Sequence, residues 1–275
     1  MTSEHADPPV LRARGLAAGY PDRRVIERLD LDVAPGRVTI IIGANASGKS
    51  TLLSTLARLL PPLGGAVTID DVDIRTVPRR ALARRLGILP QQPTAPDGLR
   101  VGDLVSRGRY PHRGLLGRWT DVDQEAVDAA MLATGLTDLA DRAVGELSGG
   151  QRQRAWVAMA LAQDPRILLL DEPTTFLDLS HQLEVLDLVR RLNRVRGTTV
   201  VAVLHDLNLA ARYADDLVVM AEGRILAQGR PADVLTAEVL RVAFGLEALV
   251  MPDPLTGTPL VIPIPDGAHA AGDPA

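Results

Sequence analysis

Gly43-Ala44-Asn45-Ala46-Ser47-Gly48-Lys49-Ser50-Thr51 decides the fold of this 275-residue chain. The stretch fits G-x-x-x-x-G-K-[ST], and Lys49 is the single lysine among 30 lysine and arginine residues. A loop wrapped round β- and γ-phosphates needs a compact point charge on a flexible stem, and a planar guanidinium fork is too large for it. The glycines let successive backbone N–H groups face the phosphates, Lys49 reaches the β and γ oxygens, and the Ser50 hydroxyl ligates Mg²⁺. The stretch therefore predicts an NTP-binding P-loop, spanning Gly43, Ala44, Asn45, Ala46, Ser47, Gly48, Lys49, Ser50 and Thr51. Taken alone it also reads as a glycine turn capping a helix.

Its flanks favour the first reading. Val38-Thr39-Ile40-Ile41-Ile42 is the apolar, β-branched run of a strand buried on both faces of a parallel sheet. Residues 51–60 carry helical propensity, and Pro61-Pro62 is expected to stop that helix. Outward from there, Val10-Leu11-Arg12-Ala13-Arg14 and Leu29-Asp30-Leu31-Asp32-Val33 alternate as strands of an antiparallel sheet with one wet face, and Val67-Thr68-Ile69-Asp70 joins them. From about 94 to 146 the strand signal fades and residues 125–139 are helix-patterned, which predicts a helical insertion. Buried strands resume at Ile167-Leu168-Leu169-Leu170 and at residues 198–204, with an amphipathic helix at 181–194 between them. That alternation predicts an α/β parallel sheet. Leu217-Val218-Val219-Met220 and Arg224-Ile225-Leu226-Ala227 flank Glu222-Gly223 as a hairpin. The expected organisation is one nucleotide-binding domain over 1–250, a helical subdomain inserted at about 94–150, and a loosely attached tail over 251–275.

A chain that is 46% hydrophobic with a net charge of −4 reads as globular, and its acidic balance argues against a general nucleic-acid binder. Arg79, Arg80, Arg84 and Arg85 read as a solvated helix face. No run of about 18 apolar residues is present, so no spanning helix is expected. Residues 1–9 lack the apolar stretch of a secretory signal, and the absence of cysteine excludes disulfides and thiolate metal sites.

Ligands of open parallel sheets bind beyond the carboxyl ends of the strands, and here each buried strand ends in a polar residue. Residues 167–170 deliver Asp171-Glu172, residues 198–204 deliver His205, and Gly87-Ile88-Leu89 leads to Gln91-Gln92. Asp171 would hold the Mg²⁺ hydration shell, Glu172 would take the proton of the attacking water, His205 would contact the γ-phosphate, and Gln91 would report γ-phosphate and Mg²⁺ occupancy. An acidic pair at a helix start is the other reading of Asp171-Glu172.

Leu147-Ser148-Gly149-Gly150-Gln151 reads locally as a capping box, Ser148 with Gln151, opening a helix over 152–163. The box leaves the consecutive glycines unexplained, since they weaken a helix unless something approaches the backbone closely. Bare N–H groups at a helix N-terminus bind anions, so Ser148, Gly149, Gly150 and Gln151 form a candidate second phosphate grip. Two grips far apart in sequence predict a nucleotide held between two copies related by a two-fold axis.

Together these motifs resemble the ATP-binding-cassette family over nearly the whole chain. The resemblance implies an α/β P-loop NTPase core with a mostly parallel sheet, an N-terminal antiparallel β-subdomain and an inserted α-helical subdomain. It makes 43–51 the Walker A motif, 167–172 Walker B, 147–151 the signature, Gln91 the Q-loop residue with Gln92 as its one-residue alternative, Asp178 the D-loop aspartate and His205 the switch histidine. Tyr20 takes the place of the aromatic that stacks on adenine, and Phe176 is bulkier than the small residue common before Leu177-Asp178. Arg107-Gly108-Arg109-Tyr110-Pro111-His112, the run from Gln151 to Trp156, and Leu204-His205-Asp206-Leu207-Asn208 with Ala211-Arg212-Tyr213 are similar to the ATPases of ferric-siderophore importers. ATPases for haem and cobalamin share parts of them. The resemblance implies ATP and Mg²⁺ as ligands and a homodimer of cassettes under a membrane permease at the cytoplasmic face, with residues 94–117 at the docking groove and a substrate-binding protein as an indirect partner. A non-transport cassette, such as an assembly scaffold, is the alternative. A P-loop kinase or GTPase leaves 147–151 unexplained.

Overall fold

A computed structural model of the chain describes residues 8–91, 93–113, 117–175 and 177–265. The chain opens with two paired strands, β1 (Leu11–Tyr20) and β2 (Arg23–Val33), in antiparallel register. The alternation read from the sequence holds at the end of β2, where Leu29, Leu31 and Val33 are buried and Asp30 and Asp32 exposed. β3 (Val38–Gly43) follows, buried at every residue, then α1 (Lys49–Leu56), β4 (Gly64–Ile69) and β5 (Val72–Asp73). Next come α2 (Arg79–Arg85) and β6 (Leu86–Leu89), and then the helices α3 (Val101–Ser106), α4 (Asp121–Ala133) and α5 (Gly149–Ala162). The chain returns through β7 (Ile167–Asp171), α6 (Leu179–Arg196), β8 (Thr199–Val203), α7 (Leu207–Tyr213), β9 (Asp216–Ala221) and β10 (Arg224–Gly229). It closes with α8 (Pro231–Val234), α9 (Ala237–Phe244), β11 (Ala248–Pro252) and β12 (Pro259–Pro263).

Six strands form the central sheet in the order β10-β9-β3-β8-β7-β6, parallel except for the β9–β10 hairpin. β2-β1-β4-β5 form the antiparallel sheet. The two-residue side-chain period of the central strands divides the core in two. Ile40, Ile42, Leu168, Leu170, Val200 and Ala202 pack with the helices α3 to α7 and with α9. Ile41, Ile167, Leu169, Val201 and Val203 face α1 and the antiparallel sheet. Apolar side chains on both faces explain why these strands read as unbroken hydrophobic runs.

Several boundaries differ from the sequence reading: β1 runs on to Tyr20, β2 starts at Arg23 and α5 starts at Gly149. α1 ends at Leu56 rather than at 60, because Arg58 takes a left-handed φ of 59° and its guanidinium donates to the carbonyls of Ile74 and Val77. α4 spans 121–133 rather than 125–139. It starts at a reciprocal capping box between Thr120 and Asp123, and Gly135 follows it at φ 65°. The first part of the segment expected as a loose tail, up to Pro263, instead belongs to the β11–β12 pair, in register from Ala248↔Pro263 to Pro252↔Pro259 with Val261 buried; residues 266–275 lie outside the described residues.

Residues 107–112 bridge α2 to α4 and α5. Gly108 lies so close to α5 that a Cβ would come 2.2 Å from the Met159 carbonyl oxygen. Arg109 is buried: its Nε donates to Asp123 Oδ1 at 2.9 Å and its Nη1 to the Ala162 carbonyl at 2.8 Å. Arg80 and Arg84, expected as a merely solvated face, both donate from Nε to the Pro111 carbonyl at 2.8 Å. Burial pushes the Asp123 carboxyl up, but the bonds from Arg109 and Thr120 outweigh it and leave it below the usual aspartate value. This depressed carboxyl contributes stability above the unfolded-state pKa, and the contribution is lost as pH falls through the folded value. Arg109→Met leaves Asp123 buried without its cation and should cost about 3–5 kcal/mol at pH 7, read by urea unfolding. The cost should shrink below about pH 4, where a protonated Asp123 tolerates burial.

Candidate nucleotide site

The P-loop turns between β3 and α1. Gly48 precedes the helix at φ 101°, a conformation that favours glycine, and the Gly223 N–H of the β9–β10 turn donates to the Ser47 carbonyl at 3.0 Å. Lys49 is buried and donates from Nζ to the carbonyls of Gly43 and Ala44, each at 2.9 Å. Burial pushes its ammonium below the ordinary lysine value, against the opposing pull of Glu172 and Asp171. The buried Ser47 hydroxyl has no hydrogen-bond partner among the described residues. An unsatisfied donor beside a buried cation suits a polyanion.

The strand ends meet this loop as the sequence predicted. Ser50 Oγ donates to Asp171 Oδ1 at 3.1 Å, and burial pushes the Asp171 carboxyl up. Glu172, at φ 52°, is held from three sides: Gln91 Nε2 lies 2.6 Å and Thr175 Oγ1 3.0 Å from Oε2, and His205 Nε2 lies 2.7 Å from Oε1. Burial raises the Glu172 carboxyl, but these bonds, His205's first, outweigh it and leave it below the usual glutamate value. A cavity of about 220 Å³ is lined by Tyr20, residues 45–51, Glu172 and His205. Arg23 and Val25 of β2 also line it. Among the described residues no group of three or more His, Asp or Glu could hold a metal ion. The Ser50 hydroxyl and Asp171 fit Mg²⁺, and Gln91, bonded to Glu172 through Nε2, keeps its side-chain oxygen for it, which leaves room for the waters and phosphates this cation prefers.

The remaining sequence-predicted residues form a second cluster that does not line this cavity. Ser148 and Gln151 make the expected capping box: Gln151 N–H donates to Ser148 Oγ at 3.3 Å and Ser148 N–H to Gln151 Oε1 at 3.1 Å. Ser148 and Gly149 are exposed, while Gly150 is buried under His181, whose Cδ2 would stand 2.6 Å from a Cβ at that position. Asp178 caps α6, accepting from His181 N–H at 3.0 Å, Ser180 Oγ at 2.8 Å and, at 2.6 Å, meeting His181 Nδ1. The His181 backbone bond first, then its neighbours, lower the Asp178 carboxyl to about 2. Within one chain the second glycine is therefore explained by His181, which sequence reasoning missed. Thr175 was missed too, though a hydroxyl three residues after Glu172 is a legible signal. Gln92 and Phe176 lie outside the described residues.

The chain belongs to the ABC transporter family, whose sequence pattern matches residues 26–175. It is an ATPase of that family, with the α/β P-loop fold expected from the sequence. It is 51% identical over 254 residues to the ferric enterobactin transport ATP-binding protein FepC of Escherichia coli (strain K12), covering 92% of this chain and 94% of that protein. It is likewise 51% identical over 253 residues to the achromobactin transport ATP-binding protein CbrD of Dickeya dadantii (strain 3937), covering 92% and 94%. The dimeric structure of MJ0796, a bacterial ABC transporter cassette, matches with a TM-score of 0.71 at 26% identity, over 80% of this chain and 98% of that one.

Thr175→Val removes one of the three donors to the Glu172 carboxylate and should cost about 1.5–3 kcal/mol at pH 7 in urea unfolding. Because the folded Glu172 pKa is depressed, the difference should be complete above the ordinary glutamate range and shrink as pH falls through the folded value.

Proposed function

We propose that this chain is the ATP-hydrolysing subunit of an importer that moves a ferric siderophore through a membrane permease. The carrying observation is 51% identity across 92% of the chain to two relatives named for ferric enterobactin transport and achromobactin transport. The site supports the ATPase chemistry. Tyr20, half exposed in the cavity lining, stacks on adenine, and Lys49 with the backbone of 43–51 holds the β- and γ-phosphates. Ser50, Asp171 and the Q-loop Gln91 would hold Mg²⁺, which would supply positive charge against the phosphate oxygens. A γ-phosphate in the cavity competes for Gln91 Nε2 and His205 Nε2, both now engaged by Glu172. Their transfer to phosphate removes two of the three side-chain bonds that depress the Glu172 pKa, so its carboxylate becomes a better acceptor for the proton of the attacking water.

Ser148, Gly149, Gly150 and Gln151 reach the γ-phosphate of a second copy, with Asp178 at the same interface; the exposure of Ser148, Gly149 and Asp178 away from this chain's own cavity supports that reading. MJ0796 is dimeric. Residues 94–117 face the permease at the cytoplasmic side of the membrane, and a substrate-binding protein acts through that permease. No helix among the described residues is long and apolar enough to cross a membrane.

Lys49→Ala should abolish tight ATP binding in a nucleotide titration. Glu172→Gln should keep ATP affinity but lower turnover by about 10²–10⁴. Ser148→Arg should leave ATP binding to the monomer intact and prevent the ATP-dependent dimer on size exclusion; lost monomer affinity would place Ser148 in the same chain's site. The substrate is tested by labelled ferric-siderophore uptake with Glu172→Gln at the native locus. Collapse of uptake supports siderophore import, whereas uptake that persists after other importers are removed points to haem, cobalamin or a role outside transport.

A further inference from the structure

His205 follows β8 and leads directly into α7, so the short helix behind it sets where its ring stands. The His205 side chain is 46% exposed and its partner is Glu172. Its orientation therefore depends on the backbone that carries it. Asp206 caps α7 by accepting the Leu209 N–H at 2.8 Å. Two α7 side chains four residues apart, and so on one face, then reach the C-terminal hairpin. Asn208 mimics a strand edge against Val261 of β12, donating from Nδ2 to its carbonyl at 3.2 Å and accepting its N–H at Oδ1 at 2.7 Å. Arg212 donates to Asp253 Oδ2 at 2.7 Å, and Asp253 Oδ1 in turn accepts the N–H groups of Leu255 and Thr256 in the hairpin turn. Asp253 is buried. The end of α7 is clamped to α6, where Tyr213 Oη donates to Asp187 at 2.8 Å and Arg190 to the Tyr213 carbonyl at 3.2 Å. None of these groups touches the nucleotide cavity.

We infer that Asn208 and Arg212 are positioning residues for ATP hydrolysis: by pinning α7 to the β11–β12 hairpin they fix the place of His205 relative to Glu172 and the γ-phosphate. The inference rests on the reading of His205 as a γ-phosphate contact. A hairpin attached only for bulk stability needs apolar burial, which Val261 and Ala248 supply. The directed polar contacts add orientation, and a small displacement of a group that must meet the reacting phosphate is costly to rate while leaving adenine and P-loop contacts intact.

The test is steady-state ATP turnover by the full chain carrying Arg212→Ala, Arg212→Lys, His205→Ala or Arg212→Ala with His205→Ala, each first shown to be folded by its thermal melt. Arg212→Ala should lower kcat about tenfold with the KM for ATP within about twofold, and Arg212→Lys, which keeps the charge on Asp253, should recover most of it. In the His205→Ala background Arg212→Ala should add less than about twofold, because the group it positions is already gone. A loss carried in full into that background overturns the inference, as does wild-type kcat in folded Arg212→Ala. If His205→Ala itself turns over normally, the γ-phosphate reading of His205 is what fails. Should Arg212→Ala not fold, Asn208→Ala is read in the same way, and failure of both to fold overturns the inference by making the hairpin part of the core.

Discussion

Burial of the central strands on both faces is the constraint on which the rest of the structure depends. β3, β7 and β8 can keep apolar side chains on both sides only if two separate layers cover them. One layer is α1 with the antiparallel sheet, the other is the helical insertion with α6, α7 and α9. Parallel strands so enclosed expose backbone and polar side chains only at their ends. The carboxyl ends of β3, β6, β7 and β8 consequently bring Gly43, Gln91, Asp171, Glu172 and His205 into one region from positions far apart in the chain.

That region carries charges under tension. Burial pushes Lys49 and Asp171 toward their neutral forms, while Glu172 is kept ionised by three donors. Asp171 is relieved by a hydroxyl and Lys49 by two loop carbonyls, both weaker partners than an opposite charge. A polyanion brought in with a divalent cation would satisfy both, so the fold holds part of the ligand's binding free energy as incompletely compensated burial.

The central strands were legible because a short β-branched run with no polar face fits a strand covered on both sides and little else, and the P-loop because its residue types answer to phosphate chemistry directly. Residues whose reasons are tertiary were not. Arg58 ends α1 through carbonyls some sixteen residues or more away, and nothing in 51–60 announces it. The start of α4 was hidden because Asp123 stands where a capping box usually carries Glu or Gln. The closing hairpin was read as a loose tail because Pro252, Pro259 and Pro263 punctuate it, yet prolines fit the ends of two edge strands with no inner neighbour. Gly150 shows the limit of reading a glycine as room for a ligand, since here a histidine ring from the same chain fills the space.

Lys49 being the only lysine separates the chemistry of the surface from that of the site. Outside the P-loop every side chain that is cationic at all working pH values is a guanidinium, which stays protonated beyond about pH 12 and is a poor nucleophile toward acylating reagents. The sole side-chain amine is buried beneath its own loop. Acylation of that one nitrogen is thus a built-in footprint of the P-loop, reading how often the loop opens without any engineered label.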